Sequence, residues 1–465
     1  MKLKALVATC ALAFAGQAAA LTPATTPDVQ LYISGSSALQ IMLGQVAANM
    51  FVNGTTAADR TDVFYDGTAA AASGKNYRAY FGVGKSTLAA TLAGKKILII
   101  DTALGGSFMG VNPVATKANL ATLLPSSCVM PTTASTDAAT GISVYSCTGT
   151  QSIAPDAGVS DLDPATIAAL INGGTGAVAP GLVNIKPTLA VVMGAPVTSN
   201  VPASLTNLTK GQVAGLMGGN IGDWSMIEPA ATGKSVVVCR RVAGSGTQSV
   251  INAQFFGNPC SIAPLAPLTS AGTTATLGSS TPVAAGNVVV IENSSSGNVK
   301  TCLQNVVTGT MVNAAGKQAI DVTNGNLVAL GAANSVVLPA GGYGIGVLGT
   351  DQGTTTYYNF ASIDGVAATV ANASTGAYDI VGEATFQDRG DLTGAKLDLY
   401  TEFVTRAGDP AILGTGGNLA GTLPIAGVAA LSEAGWAASV PFAPANPVLR
   451  VGNFGNMCQP FATLQ

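Results

Sequence analysis

"VVVCRRVAGSGTQSVINAQFFG", Val236 to Gly257, decides how this chain is read. Three valines and a cysteine make a short apolar strand, two arginines close it, and a bare Gly-Ser-Gly-Thr follows. Val250, Ile251, Ala253 and Phe255 then mark the buried side of a helix that Gly257 stops. Strand, tight loop and helix in that order are the repeating unit of an α/β protein. The loop between them suits an oxyanion. The first N–H groups of a helix are unpaired and its dipole end is positive. Gly246 lets the backbone approach a ligand closely, and Ser245 and Thr247 add hydroxyl donors. Arg241, four residues before Ser245, can return a rigid two-pronged guanidinium. Read alone, the same residues are an ordinary turn with an N-cap, because Ser and Thr at helix starts are routine.

The pattern recurs. "QLYISGSSALQIMLGQVAANMF" (30–51) gives a β-rich run, a turn bearing Ser36 and Ser37, and a helix striped by Leu39, Met42, Leu43, Val46, Ala47 and Met50. "KKILIID" (95–101) reads as a buried strand, followed by the glycine-rich "TALGGSFMG". "GVSDLDPATIAALING" places Ser160 and Asp161 just before a helix with Asp163 as N-cap, Pro164 at its first position and Gly173 past its end. "PTLAVVMGAPV" is a further strand. "NLTKGQVAGLMGGNIGDW" carries a capping box, Thr209 with Gln212. Stretches 129–155 and 258–287, rich in Ser, Thr, Ala, Pro and Gly, read as surface insertions, and the Ala/Gly-rich 405–440 reads similarly.

Asp161 near an anion looks wrong until protonation is considered. Phosphate still carries a proton at neutral pH and can donate it to a carboxylate, whereas sulfate offers none and is repelled. Asp161 is therefore a candidate selectivity element; the plainer reading is a solvated or capping acid.

Composition removes other function classes. The chain has no histidine, so no Ser-His-Asp triad, Cys-His pair or histidine-ligated zinc exists in it. No CxxC occurs, and neither a metal site nor a cofactor site is expected. Only 9% of residues are charged and no basic run appears, which argues against a nucleic-acid partner. Residues 1–20, with Lys2 and Lys4, an apolar stretch and Ala18-Ala19-Ala20, have the layout of a secretory signal cleaved after Ala20. The mature protein is then periplasmic or secreted, and its net charge falls from −3 to −5 with the loss of the two lysines. No later segment is apolar enough to predict stable membrane insertion. Six cysteines remain after cleavage, and in an exported chain they favour disulfides. Proximity favours Cys128–Cys147 and Cys239–Cys260, leaving Cys302–Cys458.

Four stretches together resemble the substrate-binding subunit of bacterial phosphate ABC transporters, within the type II periplasmic solute-binding proteins: "ISGSSA" (33–38), "DAGVSD" (156–161), "NLTKGQVAGLMGGNIGDWS" (207–225) and "CRRVAGSGT" (239–247). The last is the most specific, since Arg-x-x-x-Ser-Gly-Thr is the family's own pattern, and "GGYGIGVLG" (341–349) is a weaker echo. The resemblance implies an α/β, two-lobed type II periplasmic binding protein fold with two crossover strands and loop insertions. Lobe one is expected over 24–187 with 346–465, and lobe two over 188–345. It also implies a non-enzymatic protein that captures inorganic phosphate between the lobes and delivers it to an ABC transporter permease. Ser36, Ser37, Ser160, Asp161, Arg241, Ser245, Gly246 and Thr247 are the expected ligand-binding residues. The family's Ser-Ser-Gly-Gly loop is replaced by "TALGG" (102–106), where Ser107 is the nearest substitute for the missing serine. The alternatives are the same fold binding another oxyanion or a phosphorylated molecule, and an extracellular structural or adhesive protein reusing the fold.

Overall fold

Val29–Gly35 (β1) is apolar and almost wholly buried, as a strand covered on both faces must be. It leads through Ser36 and Ser37 into the helix Gln40–Asn49 (α1), which lays Met42, Leu43 and Val46 on the core. β1 pairs in parallel with Lys96–Thr102 (β2) on one side and Ala157–Ser160 (β3) on the other. Residues after β3 turn into the helix Pro164–Ile171 (α2), where Asp163 accepts from the Ala165 amide. Asn184–Gly194 (β4) completes the centre of this first sheet. The computed structural model describes residues 23–459 apart from 57–58, 67–75, 131–141, 143, 172–180, 243, 262–287, 312–316, 321–326, 330–335, 338–341, 414–426, 432–447, 450–451 and 454–456. The expected leader, residues 1–20, lies outside the described residues, as do Gly173 and most of the 258–287 stretch.

The opening stretch folds as its pattern predicts. Val236–Arg241 (β5) is buried throughout, and Gly246–Phe256 (α3) follows it, capped by Ser245 and closed by Gly257 at φ 63°. Val289–Asn293 (β6) and Tyr343–Gly346 (β7) flank β5 in parallel and form the centre of a second sheet. Between β6 and β7 the chain makes the helix Ser296–Thr308 (α4), capped by Ser295. The helix Lys210–Met217 carries the predicted capping box between Thr209 and Gln212.

The chain is thus an α/β protein of two lobes, each built on its own large sheet. Strand β4 leaves the first sheet at Gly194, and after Ala195 the strand Pro196–Thr198 joins the second. Strand β7 leaves the second, and after Val347 the pair Leu348–Gly349 bonds back to Met193 and Gly194. The chain then visits the second sheet again, pairing Tyr358–Phe360 with Pro196–Thr198, before Val381–Asp388 (β8) settles between β4 and β3 in the first. The boundary expected after residue 187 therefore falls inside β4, and Tyr358–Phe360 joins the second sheet from within the stretch expected for lobe one.

Two of the stretches read as insertions contribute strands. Val144–Cys147 pairs with Asp62–Asp66, and Val428–Leu431 pairs with β4, both in the first sheet. Small, weakly apolar residues such as those of "VAAL" hide a buried strand from a composition reading, because close packing between elements needs little side chain.

The cysteine pairing also differs from the proximity expectation. Cys128 does bond Cys147, its cross-strand neighbour, but Cys239 bonds Cys302 and Cys260 bonds Cys458. Strand alternation decides this. Val236 and Val238 face the core that receives Val250 and Ile251 of α3, whereas Val237 and Cys239 face the opposite side, covered by Val299, Cys302 and Leu303 of α4. Cys260 follows α3 and so lies off the face that Cys239 looks onto. No helix among the described residues is long and apolar enough to cross a membrane.

Candidate functional site

Strands β1, β2 and β3 of the first sheet run parallel to one another, as do β5, β6 and β7 of the second, so within each set the C-terminal ends lie along one edge, where α/β proteins gather ligands. Strands β1, β2 and β3 end at Gly35, Thr102 and Ser160 and lead on to Ser36, Ser107 and Asp161, and strands β5 and β6 end at Arg241 and Asn293 and lead on to Ser245–Thr247 and to Ser294–Ser296. The two edges face each other. The Phe108 amide donates to the Gly244 carbonyl at 3.0 Å, and the Ser296 amide donates to Ser37 Oγ at 3.1 Å. Glycine permits this approach: a Cβ on Gly106 would lie 2.9 Å from Ser245 Cα, and one on Gly246 would lie 2.5 Å from Ser107 Oγ.

Asp161 sits at the centre, 1% exposed. Its carboxylate accepts from Ser36 Oγ on one oxygen and from Thr247 Oγ1 at 2.9 Å on the other, so it is bonded from both lobes. Its amide donates to Ser107 Oγ at 3.1 Å. Burial pushes its carboxyl above the ordinary carboxylate range, opposed by the bonds from Ser36 and Thr247 and by the charge of Arg241.

Arg241 is equally buried, at 1% exposure. Its guanidinium donates through Nε to the Asn293 carbonyl at 3.2 Å, through Nη1 to Ser296 Oγ at 3.1 Å and through Nη2 to the Ser294 carbonyl at 3.2 Å. Its backbone amide donates to Gln248 Oε1 at 3.0 Å, tying the strand end to α3. Burial lowers its pKa to about 10, and the Asp161 charge works against that fall. It therefore stays a cation at neutral pH.

Of the eight residues expected from sequence, Ser36, Asp161, Gly246 and Thr247 meet around the carboxylate, with Ser37 and Arg241 joined to each other through Ser296. Ser245 serves as the N-cap of α3, accepting from the Gln248 amide at 3.3 Å. Ser160 is buried too, but its hydroxyl donates to the Leu162 carbonyl at 2.5 Å, which holds the turn rather than facing the cluster. Ser107 takes part, through Asp161 and Gly246.

Sequence reasoning passed over Ser296 and the α4 start. The signal was present in "VVVIENSSSGN" (288–298), the same strand, serine loop and helix order, but a serine run resembles a linker. Ser296 Oγ lies 3.1 Å from Ser37 Oγ and accepts from Arg241, so it couples the guanidinium to the opposite lobe. Ser296→Ala removes one buried hydrogen-bond partner, about 1 kcal/mol, and is expected to weaken anion binding by roughly fivefold in a calorimetric titration, with Ser296→Thr close to wild type. Equal affinities for the alanine variant and the wild type would take Ser296 out of the site.

Chemically, the cluster offers many neutral donors, one fixed cation and one proton-accepting acid in a water-poor setting. It suits recognition of a small protonated oxyanion. Among the described residues no group of His, Cys, Asp and Glu is placed to hold a metal.

No protein-family model matches the sequence, and no curated protein matches it. Among solved structures, it is similar to a proposed phosphate ABC transporter substrate-binding protein with bound phosphate from Clostridium perfringens, at 13% identity and TM-score 0.39, covering 81% of this chain and 91% of that one. It is also similar to PstS from Borrelia burgdorferi, at 11% identity and TM-score 0.33, covering 81% and 93%. A third is the phosphate binding protein from Stenotrophomonas maltophilia, at 15% identity and TM-score 0.32, covering 55% and 69%. These superpositions are too loose to transfer a ligand or a residue role to this chain.

Proposed function

We propose that this chain is a solute-binding protein that captures inorganic phosphate between its two lobes and hands it to an ABC transporter permease from the periplasm or the cell exterior, without catalysing a reaction. The observation that carries the reading is the meeting of a buried carboxylate, Asp161, and a buried guanidinium, Arg241, with hydroxyls from both lobes at the C-terminal ends of parallel strands. Asp161 accepts the proton of the phosphate. Arg241 balances its charge, and Ser36, Ser37, Ser107, Thr247 and the first amides of α3 donate to its oxygens. The motif resemblance in "ISGSSA", "DAGVSD" and "CRRVAGSGT" supports the same ligand.

Because the donors are divided between lobes, neither half satisfies the anion alone. Binding favours the closed arrangement, since only there do both sets of donors reach the ion. Calorimetric titration of refolded, ligand-stripped protein with phosphate tests this: saturable heat at submillimolar phosphate is expected. No heat at millimolar phosphate would end the proposal.

A further inference from the structure

We propose that the Cys260–Cys458 disulfide is a covalent tether between the lobes that limits how far the cleft opens. Cys260 follows α3, on the excursion between β5 and β6 of the second sheet. Cys458 ends a C-terminal segment held on the first lobe. There Val448–Leu449 pairs with Val428–Leu431, the Asn453 amide donates to Glu383 Oε2 of β8 at 2.8 Å, and Met457 is buried in the core. The bridge closes a sequence separation of 198, against 19 and 63 for the other two.

The helix α3 links this bridge to the site. Its N-terminus carries Gly246 and Thr247 into the anion cluster, and its C-terminus passes through Gly257 to Cys260. Along its length it lies against both lobes: Val250 packs at Gly382 of β8, and Phe256 packs at Gly218 beyond the helix Lys210–Met217. Separating the lobes must peel α3 from β8. With its far end bonded to the first lobe, α3 is left to swing about Cys260 over a length of about 16 Å, instead of moving off with β5. Opening is then a rotation of small amplitude.

The bridge is also the one to which a reagent has access. Cys260 and Cys458 are exposed, whereas Cys128, Cys147, Cys239 and Cys302 are buried. Dithiothreitol attacks an exposed disulfide first, passing two electrons and two protons to it, leaving two thiols and becoming a cyclic disulfide itself.

Two amides report opening directly, because each donates across the cleft: Phe108 to Gly244 and Ser296 to Ser37. In the double variant Cys260→Ser/Cys458→Ser, hydrogen exchange at Phe108 and Ser296 is expected to speed up about tenfold while β2 and β5 keep their rates. Wild-type protein treated with mild dithiothreitol should match it, with the two buried bridges confirmed intact by mass, which covers the case of a variant that fails to fold. Unchanged rates at both amides after cleavage overturn the proposal. So does acceleration spread evenly over β2 and β5, which would make the bridge a general staple. The measurement needs no ligand, so it stands apart from the phosphate reading on which the role of the cleft rests. A separate titration without heat would sink that reading and leave the tether intact.

Discussion

Replacing Arg241 with alanine is expected to lower phosphate affinity by at least about a hundredfold, the largest loss of any single change at the site. Removing one partner of a buried charge pair typically costs about 3–5 kcal/mol, because the remaining charge loses its compensation in a medium that solvates it poorly. Here the remaining charge is Asp161, and the incoming anion would add to it. Three anchors on Asn293, Ser294 and Ser296 hold the guanidinium at a fixed place. Arg241→Lys keeps the charge but gives up the planar fork, and its affinity should fall between the two. Calorimetry measures both, and thermal melting followed by circular dichroism separates lost binding from lost fold. A folded alanine variant that binds phosphate like wild type would remove the guanidinium from recognition.

The second large effect concerns selectivity. Asp161→Asn is expected to shrink the preference for phosphate over sulfate by about a hundredfold, mostly through a gain in sulfate affinity. An ionised carboxylate facing sulfate sets lone pair against lone pair, while an amide can turn its NH2 toward the ion. The wild-type protein should show the same trend with acidity. Burial holds the Asp161 carboxyl above the ordinary range, so as pH falls it takes up a proton earlier than an exposed aspartate does. Once protonated it is neutral and can donate to sulfate. Competition titrations should therefore show selectivity present at neutral pH and narrowing toward acid, with the asparagine variant flat across the same window. A wild-type selectivity independent of pH would assign discrimination to some other group.

What the sequence disclosed about this site was local. The order of strand, loop and helix around Val236–Gly257 is written in near neighbours: valines for the strand, Ser245 as cap, an apolar face, and Gly257 free to take a positive φ. Asp161 and Arg241 were legible as candidates because their residue types are costly to place next to apolar strands without a task. The third serine loop was not, because "NSSSG" differs from "SGSS" only in what lies opposite it after folding, and only the meeting of Ser296 with Ser37 and Arg241 gives it meaning. The same holds for Ser160. Its position beside Asp161 suggested a ligand contact, and a turn to Leu162 took its hydroxyl instead. The cysteine partners depended on which face of β5 each residue looks onto, a property of the assembled sheet that spacing along the chain does not carry.

Cys239 lies just before Arg241 on β5, and Cys302 lies under two turns beyond Ser296 on α4, so their bond sets the height of the guanidinium relative to the hydroxyl that anchors it. A chain folded under reducing conditions would keep both elements, and their relative height would then rest on the packing of Val237 against Val299 and Leu303 and on the guanidinium's own hydrogen bonds.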